Sequence, residues 1–359
     1  MVGQSDAYCG HVRASTALKR DRNTGMASVA KRQSSLNRWD RSDRSLFEQF
    51  GLARAAVWTG NEPAPYQIFR CDAFDWLNLV PENSIEAVVT DPPYGLLEYS
   101  EEQLQKLKTG KGGVWRIPPS FDGCQRSPLP RFTVLGDADR RRLRSFFKLL
   151  AERLMRVMVP GAHLFIATNP LVSYLVYEPM IEAGFEKRGE IIRLVQTLRG
   201  GDRPKNAEQE FPHVSVMPRS GWEPWGLFRK PCEGRVQDNL RKWKTGGLRR
   251  ISETEPFRDV IESGVARNGE RAIADHPSLK PQHFLRQICR ASLPLGKGTI
   301  LDPFMGSGST IAAAAACGLK SIGLENNREF FQMAVRAIAK LAALKTASEV
   351  ILHAASDKR

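Results

Sequence analysis

The 359-residue chain predicts an α/β fold with a mostly parallel, doubly wound sheet, and three observations lead there. Short β-branched runs alternate with amphipathic stretches on both sides of a basic middle segment. The run Ile85-Glu86-Ala87-Val88-Val89-Thr90 reads as a buried strand and leads straight into Asp91-Pro92-Pro93-Tyr94. Far downstream, Asp302-Pro303-Phe304-Met305-Gly306-Ser307-Gly308 places glycines between a strand and a helix, where a ligand approaches the sheet in folds of this class.

The elements follow in order. Residues 1–45 are rich in Ser, Arg, Lys and Asp without helical or strand periodicity, and are expected to be a flexible basic arm without a role in the fold; Met26 is an alternative start. Residues 66–71 are a strand ending at Asp72, and 73–79 a short helix. After the strand at 85–90, residues 96–135 form a long irregular stretch with Gly, Pro and Lys: a lid, a binding loop or disorder. A basic amphipathic helix covers 137–158 with Asp137 as its cap, broken by Pro160-Gly161. A strand at 162–167, a helix around 172–183 ended by Gly184, and a strand at 190–196 complete the first half. The alternation then stops over 197–250. From His276 it resumes, with helices at 281–292, 309–317 and 328–344 and strands at 298–301 and 320–324.

Charge sharpens the reading. The chain holds 53 Lys and Arg against 39 Asp and Glu, a net charge of +14 with pI near 9.7. That surplus is the footprint of a phosphate-rich partner. Between Arg193 and Arg250 there are thirteen basic and six acidic residues, so this segment carries half of the surplus, together with Trp222, Trp225 and Trp243. Aromatic residues among basic ones suit backbone contacts and base stacking. Six scattered cysteines (Cys9, Cys71, Cys124, Cys232, Cys289, Cys317) show no Cys-x-x-Cys pair and no zinc-type spacing, and read as reduced thiols; no metal is expected. No apolar run reaches the ~20 residues of a membrane span, and no signal-like segment follows Met1, so a soluble cytoplasmic protein with no membrane partner is expected. A nucleotide hydrolase is excluded because Gly110-Lys111-Gly112 does not fit the phosphate-loop pattern.

The motifs carry chemistry. An exocyclic amine of a nucleobase is a poor nucleophile because its lone pair is delocalised into the ring. A carboxylate (Asp91) and a carbonyl held by a proline of fixed φ (Pro92) can accept its two N–H groups and localise that pair; Pro93 extends the turn, Tyr94 can stack on a flipped base, and Gly95 lets the chain turn away. On the other side, Gly306 and Gly308 admit a cofactor, and Glu325, closing the next strand, can accept ribose hydroxyls. Pro231-Cys232 has the form of a nucleophilic cysteine motif, but it lies in the basic segment with no strand leading into it, and is read as structural.

The two motifs, in this order and with a basic segment between them, resemble the β-class amino-methyltransferases of DNA. The resemblance spans most of residues 65–345 and implies a Rossmann-like methyltransferase fold with circularly permuted motif order and a basic target-recognition insert. It divides the chain into the arm 1–45, a catalytic half 46–196, a target-recognition region 197–270, a cofactor half 271–345 and a tail 346–359. It implies S-adenosylmethionine as cofactor, bound by Asp302, Phe304, Gly306, Gly308, Thr310 and Glu325. Asp72 matches the family's acidic residue at the cofactor's adenine, and Lys280, in Asp275-His276-Pro277-Ser278-Leu279-Lys280-Pro281, lies near its methionine moiety; the His276 side chain is read as a helix cap. The implied activity is methylation of adenine N6 in double-stranded DNA, with Asp91 leaning that way against cytosine N4; a non-catalytic DNA-binding protein that kept the fold is the further alternative. A homodimer and a cognate restriction endonuclease are both compatible with the family. One departure stands out: many relatives carry Trp-x-Lys where this chain has Glu190-Ile191-Ile192-Arg193-Leu194-Val195.

Overall fold

The computed structural model describes residues 56–60, 65–93, 135–195 and 203–346 apart from 205, 219, 265, 267 and 277, with short stretches at 120–121 and 124–125. The arm 1–45, Tyr94, most of the 96–135 stretch and residues beyond 346 lie outside the described residues. Nine strands form one sheet: β1 (Ala56–Gly60), β2 (Tyr66–Arg70), β3 (Ile85–Thr90), β4 (Met158–Ala167), β5 (Glu186–Leu194), β6 (Trp222–Arg229), β7 (Val260–Glu262), β8 (Thr299–Asp302) and β9 (Lys320–Leu324). Their spatial order is β1-β2-β9-β8-β3-β4-β6-β5-β7. All neighbours are parallel except β1 on β2 and β6 on both β4 and β5. The sheet is therefore mostly parallel, as expected.

The helices are α1 (Ala73–Leu79), α2 (Asp137–Val157), α3 (Ser173–Glu182), α4 (Val236–Trp243), α5 (Asn268–Ile273), α6 (Gln282–Ser292), α7 (Ser309–Ala316) and α8 (Arg328–Ala342). Local chemistry starts several of them. Asp72 accepts from the N–H groups of Phe74 and Asp75 and so caps α1, and Asn327 does the same for Glu329 and Phe330 at α8. The cap of α2 is Gly136, not Asp137; the Asp139 carboxylate reaches back to its N–H, a task that Asp137, one residue inside the helix, cannot perform. One face of the sheet packs Ala87, Val89, Phe165 and Ala167 against Phe284, Leu285 and Ile288 of α6, while Ile68 packs with Ile311 of α7 and Ala334 and Ile338 of α8. Val88, Leu164 and Ile166 point the other way by strand alternation and are equally buried, which is the pattern of a sheet covered on both sides.

Two strands depart from expectation. β4 begins at Met158, four residues earlier than expected, because Gly161 at φ +77 lets the strand pass the Pro160 position without breaking. β5 spans 186–194 and not 190–196: its first half alternates polar residues along a half-exposed strand and shifts register between Lys187 and Gly189.

The larger correction concerns the basic segment. Trp222–Arg229 is a core strand lying antiparallel between β4 and β5. Trp225 is fully buried and packs on Phe284 at 5.2 Å, so it stacks on the protein core and not on a base. Gly226 is required there, since a Cβ would meet the Tyr177 ring of α3 at 2.6 Å.

Candidate active site

Parallel strands of a doubly wound sheet open a crevice where the chain departs in opposite directions, at their carboxyl ends. Here that point lies between β3 and β8: the chain leaves β3 toward β4, and leaves β8 toward β9 on the other side. Asp91 follows β3 and the glycine turn follows β8. A hydrogen bond from Thr90 Oγ1 to Asp302 Oδ1 (2.8 Å) crosses the divide, and the Phe304 N–H donates to the same oxygen at 3.1 Å. Asp302 is 2% exposed, and burial pushes its carboxyl up to about 7 against the lowering effect of Thr310, Thr90 and Phe304. It works as a tie between the two motifs.

The glycines answer to the protein as well as to any ligand. Gly308 starts α7 at φ +84, and a Cβ there would meet Ile338 of α8 at 2.5 Å. Gly306, at φ +52, lies under the imidazole of His276, 2.9 Å from where its Cβ would stand. His276 in turn packs edge-on against Phe330 at 4.4 Å, and its Nδ1 accepts from the Ser278 N–H at 3.2 Å. It caps its own turn, not a helix: α6 begins only at Gln282, after Pro281. Burial, opposed by Asp91, holds the imidazole below its usual range and so in the neutral form.

Glu325 follows β9. Its Oε2 accepts from the Gly306 N–H at 3.0 Å and its Oε1 from Asn327 N–H at 2.7 Å, which fixes the carboxylate over the turn and leaves lone pairs on both oxygens. Phe304 lies 5.8 Å from Phe146 of α2, and Phe146 meets Phe74, two residues past Asp72, edge-on at 5.4 Å. Asp91, Lys280, Asp302, Phe304, Gly306 and Thr310 line one cleft. The sheet also brings Asp72 to this edge, with its carboxylate engaged as the cap of α1. Pro92 is buried and Pro93 exposed.

Sequence reasoning missed what holds Asp91. Its Oδ2 accepts from Ser278 Oγ at 2.9 Å and from the ammonium of Lys280. Lys280 also lies 3.7 Å from Glu223 of β6, which pairs with Arg193 of β5 at 2.8 Å. The side chains of Lys280, Asp91 and Arg193 are 11%, 14% and 6% exposed. Burial works against the Lys280 charge, yet Asp91 and Glu223 outweigh it and hold the ammonium above its ordinary range. The sequence marked Lys280 for the cofactor side and the departure around Arg193, without pairing either to Asp91.

The decoy lies elsewhere. A strand does lead toward Pro231-Cys232, contrary to expectation, since β6 ends at Arg229. β6 runs antiparallel, so that end lies beside His163 and Ala162, at the opposite edge from Asp91. Cys232 packs against Gly246 there, 3.3 Å from where a Cβ would stand.

Residues 206–336 match the model of the DNA methylase family named for N6 and N4 transfer. The resemblance to the DNA amino-methyltransferases holds. The Type II methyltransferase M2.LlaDCHI of Lactococcus lactis subsp. cremoris is 30% identical over 26% of this chain and 34% of its own length, so this chain matches about a third of that relative. M.HindIII of Haemophilus influenzae is 23% identical over 75% of this chain and 93% of its own. The DNA adenine methyltransferase YhdJ of Escherichia coli is 45% identical over 17% of this chain and 21% of its own. Among the described residues no helix is long and apolar enough to cross a membrane.

Proposed function

We propose that this chain transfers a methyl group from S-adenosylmethionine to the N6 amine of adenine in duplex DNA, acting in the cytoplasm. One observation carries the reading: Asp91 and the Asp302–Gly308 turn, far apart in sequence, line the same cleft at the switch point of the sheet. The residues present fit the cofactor. Glu325 presents lone pairs for ribose hydroxyls, Phe304 gives an apolar wall, and Gly306 and Ser307 bring backbone to the cleft. Bound there, S-adenosylmethionine supplies an electrophilic methyl on a sulfonium.

The chain's own part is acceptance and orientation. Asp91 takes a hydrogen bond from the target amine, and the Pro92 carbonyl takes the other, so that the nitrogen lone pair turns out of the ring plane. Lys280 and Ser278 hold the carboxylate in place. A base inside a duplex cannot reach Asp91, so the nucleotide must leave the stack, with Tyr94 available to stack on it. Direct transfer requires positioning above all. Asp as the first residue of the motif and the adenine specificity of YhdJ favour adenine over cytosine N4.

The test is incubation of purified protein with labelled S-adenosylmethionine and mixed-sequence duplex DNA, followed by mass spectrometry of the nucleosides. N6-methyladenosine is expected. N4-methylcytosine would move the target to cytosine, and no methylated nucleoside from a protein that binds the cofactor would remove the activity.

A further inference from the structure

We propose that Glu223 and Arg193, at the root of the loop joining β5 and β6, are positioning residues that set how Lys280 engages Asp91. The inference rests on the reading of Asp91 as acceptor of the target amine. The observation behind it is a line of alternating charges, Asp91, Lys280, Glu223 and Arg193, that crosses from β3 through the turn before α6 to the β5–β6 hairpin. Each member has its neighbour within 4 Å, and none has a side chain more than 23% exposed.

The line is built and not incidental. Arg193 donates Nη1 to Glu223 Oε2 and Nη2 to the Gly264 carbonyl, both at 2.8 Å, which ties β5, β6 and the end of β7 together. Trp225 Nε1 donates to Glu223 Oε1 at 3.0 Å, so the oxygen facing Lys280 is also fixed from below. Arg193 lies 5.8 Å from the Phe284 ring, itself in contact with Trp225. A buried charge of this kind has few ways to move.

The arrangement has a chemical consequence. The Asp91 carboxylate accepts the target amine, and Lys280 orients it. An ammonium given wholly to Asp91 would instead consume the acceptor strength that the amine needs. Glu223 draws on the same ammonium from the other side and divides its charge, and Arg193 holds Glu223 in place for that. Because Arg193 and Glu223 form a cross-strand pair, Asp91 is joined to the β5–β6 pairing through two contacts, Glu223 to Lys280 and Lys280 to Asp91.

The test uses the full chain with Glu223→Gln, Arg193→Met, Lys280→Met and the Glu223→Gln/Lys280→Met double variant. Transfer to mixed-sequence duplex DNA is followed from pH 6 to 9, S-adenosylmethionine affinity by calorimetry, and the Lys280 ammonium by its nitrogen NMR signal, assigned through Lys280→Met. Glu223→Gln is expected to lower kcat by about tenfold, the loss expected for one hydrogen bond to a charge, with cofactor affinity within about twofold. The double variant is expected to be no worse than Lys280→Met alone.

The pH arm separates positioning from packing. Glu223 faces Lys280, Arg193 and the Trp225 indole; Asp91 faces Lys280, Ser278 and His276, with Asp302 behind. Glu223→Gln removes a charge without changing size, so its kcat loss is expected at every pH from 6 to 9 with cofactor affinity unchanged, a pattern that a packing role would not give. The titration of Asp302 is common to all variants and cancels against the parent at each pH. A Glu223→Gln kcat within twofold of the parent, or losses that multiply in the double variant, would overturn the proposal. The Glu223→Gln arm decides alone if Arg193→Met does not fold. A parent chain without methyl transfer would sink the proposed function only; the Lys280 signal then decides, its movement in Glu223→Gln supporting the pairing and its constancy refuting it.

Discussion

The two edges of the sheet use their charged side chains differently. At the carboxyl edge, Asp91, Lys280, Glu223 and Arg193 are largely buried and each is committed to a partner. At the opposite edge, Arg229 pairs with Glu186 at 2.6 Å and Lys230 donates to Asn83 and the Met158 carbonyl, while the stretch beyond packs by neutral contacts: Asn239 donates to the Pro160 and Thr245 carbonyls, and Thr245 Oγ1 donates to Pro160. Its cations stay exposed: Arg235 and Arg241 pair with Asp238, Lys242 with Glu233, and Lys244 donates to the Arg241 carbonyl. Exposed pairs of that sort are worth ~0–1 kcal/mol and are screened by salt. A count of charge along the sequence weights the second edge more heavily, while the proposed chemistry stands at the first. Within the span 197–270, expected as one recognition region, β6 runs from the carboxyl edge, where Leu194 pairs with Trp222 and β7 ends, to the opposite one.

The comparison can be broken most directly at Asp91. Asp91→Ala is expected to reduce transfer by at least about a thousandfold while S-adenosylmethionine still binds, as removal of an electrostatic acceptor from a closed site should. Retained turnover would move the chemistry away from this edge.

A second contrast sets the two edges against each other. Arg203, exposed in the 195–221 loop, is expected to matter to DNA: Arg203→Gln should weaken binding and lower the slope of log affinity against log salt by about one. The combined Arg241→Gln, Lys242→Gln, Lys244→Gln variant of α4 should leave kcat/KM within about twofold. A larger loss from α4 than from Arg203 would assign DNA contact to the opposite edge.

A smaller effect concerns Asp302. Its folded-state value near 7 lies above the usual carboxylate value, so the native chain binds the extra proton, and stability falls as pH rises from about 4 toward 7. Asp302→Asn keeps an acceptor for Phe304 and Thr90 without the charge. Its melting temperature should gain on that of the parent between pH 5 and pH 8; a constant difference would show that Asp302 does not titrate there. Smallest of all, Cys232→Ser is expected to leave transfer unchanged, since Cys232 lies across the sheet from Asp91.

Much of this was legible in the chain. β3 and β9 were read to the residue because buried parallel strands are short, apolar and followed by diagnostic turns. The Asp91 and Gly306 sites could be located for the same reason: special backbone demands special residues. β6 was not legible. Pro224, Gly226 and two tryptophans in a basic surrounding carry no strand period, and only long-range pairing with β4 and β5 makes the segment extended. The partners of Asp91 escaped for a related reason. Lys280 was marked for the cofactor side and Glu223 not at all; they are 57 residues apart in the chain, and the sheet alone brings them within 3.7 Å.

The insertion of β6 between β4 and β5 has a bearing on how such a chain could change its target. The loop from 195 to 221 begins and ends on paired neighbours, Leu194 opposite Trp222, so its ends are held whatever its content. Closing a loop between fixed ends costs only ~0.6 kcal/mol more for each doubling of its length. The sequence between those anchors can therefore lengthen, shorten or be exchanged at little thermodynamic penalty, while the charges beneath it keep the reacting end of the molecule unchanged. Specificity can drift on a scaffold whose chemistry does not.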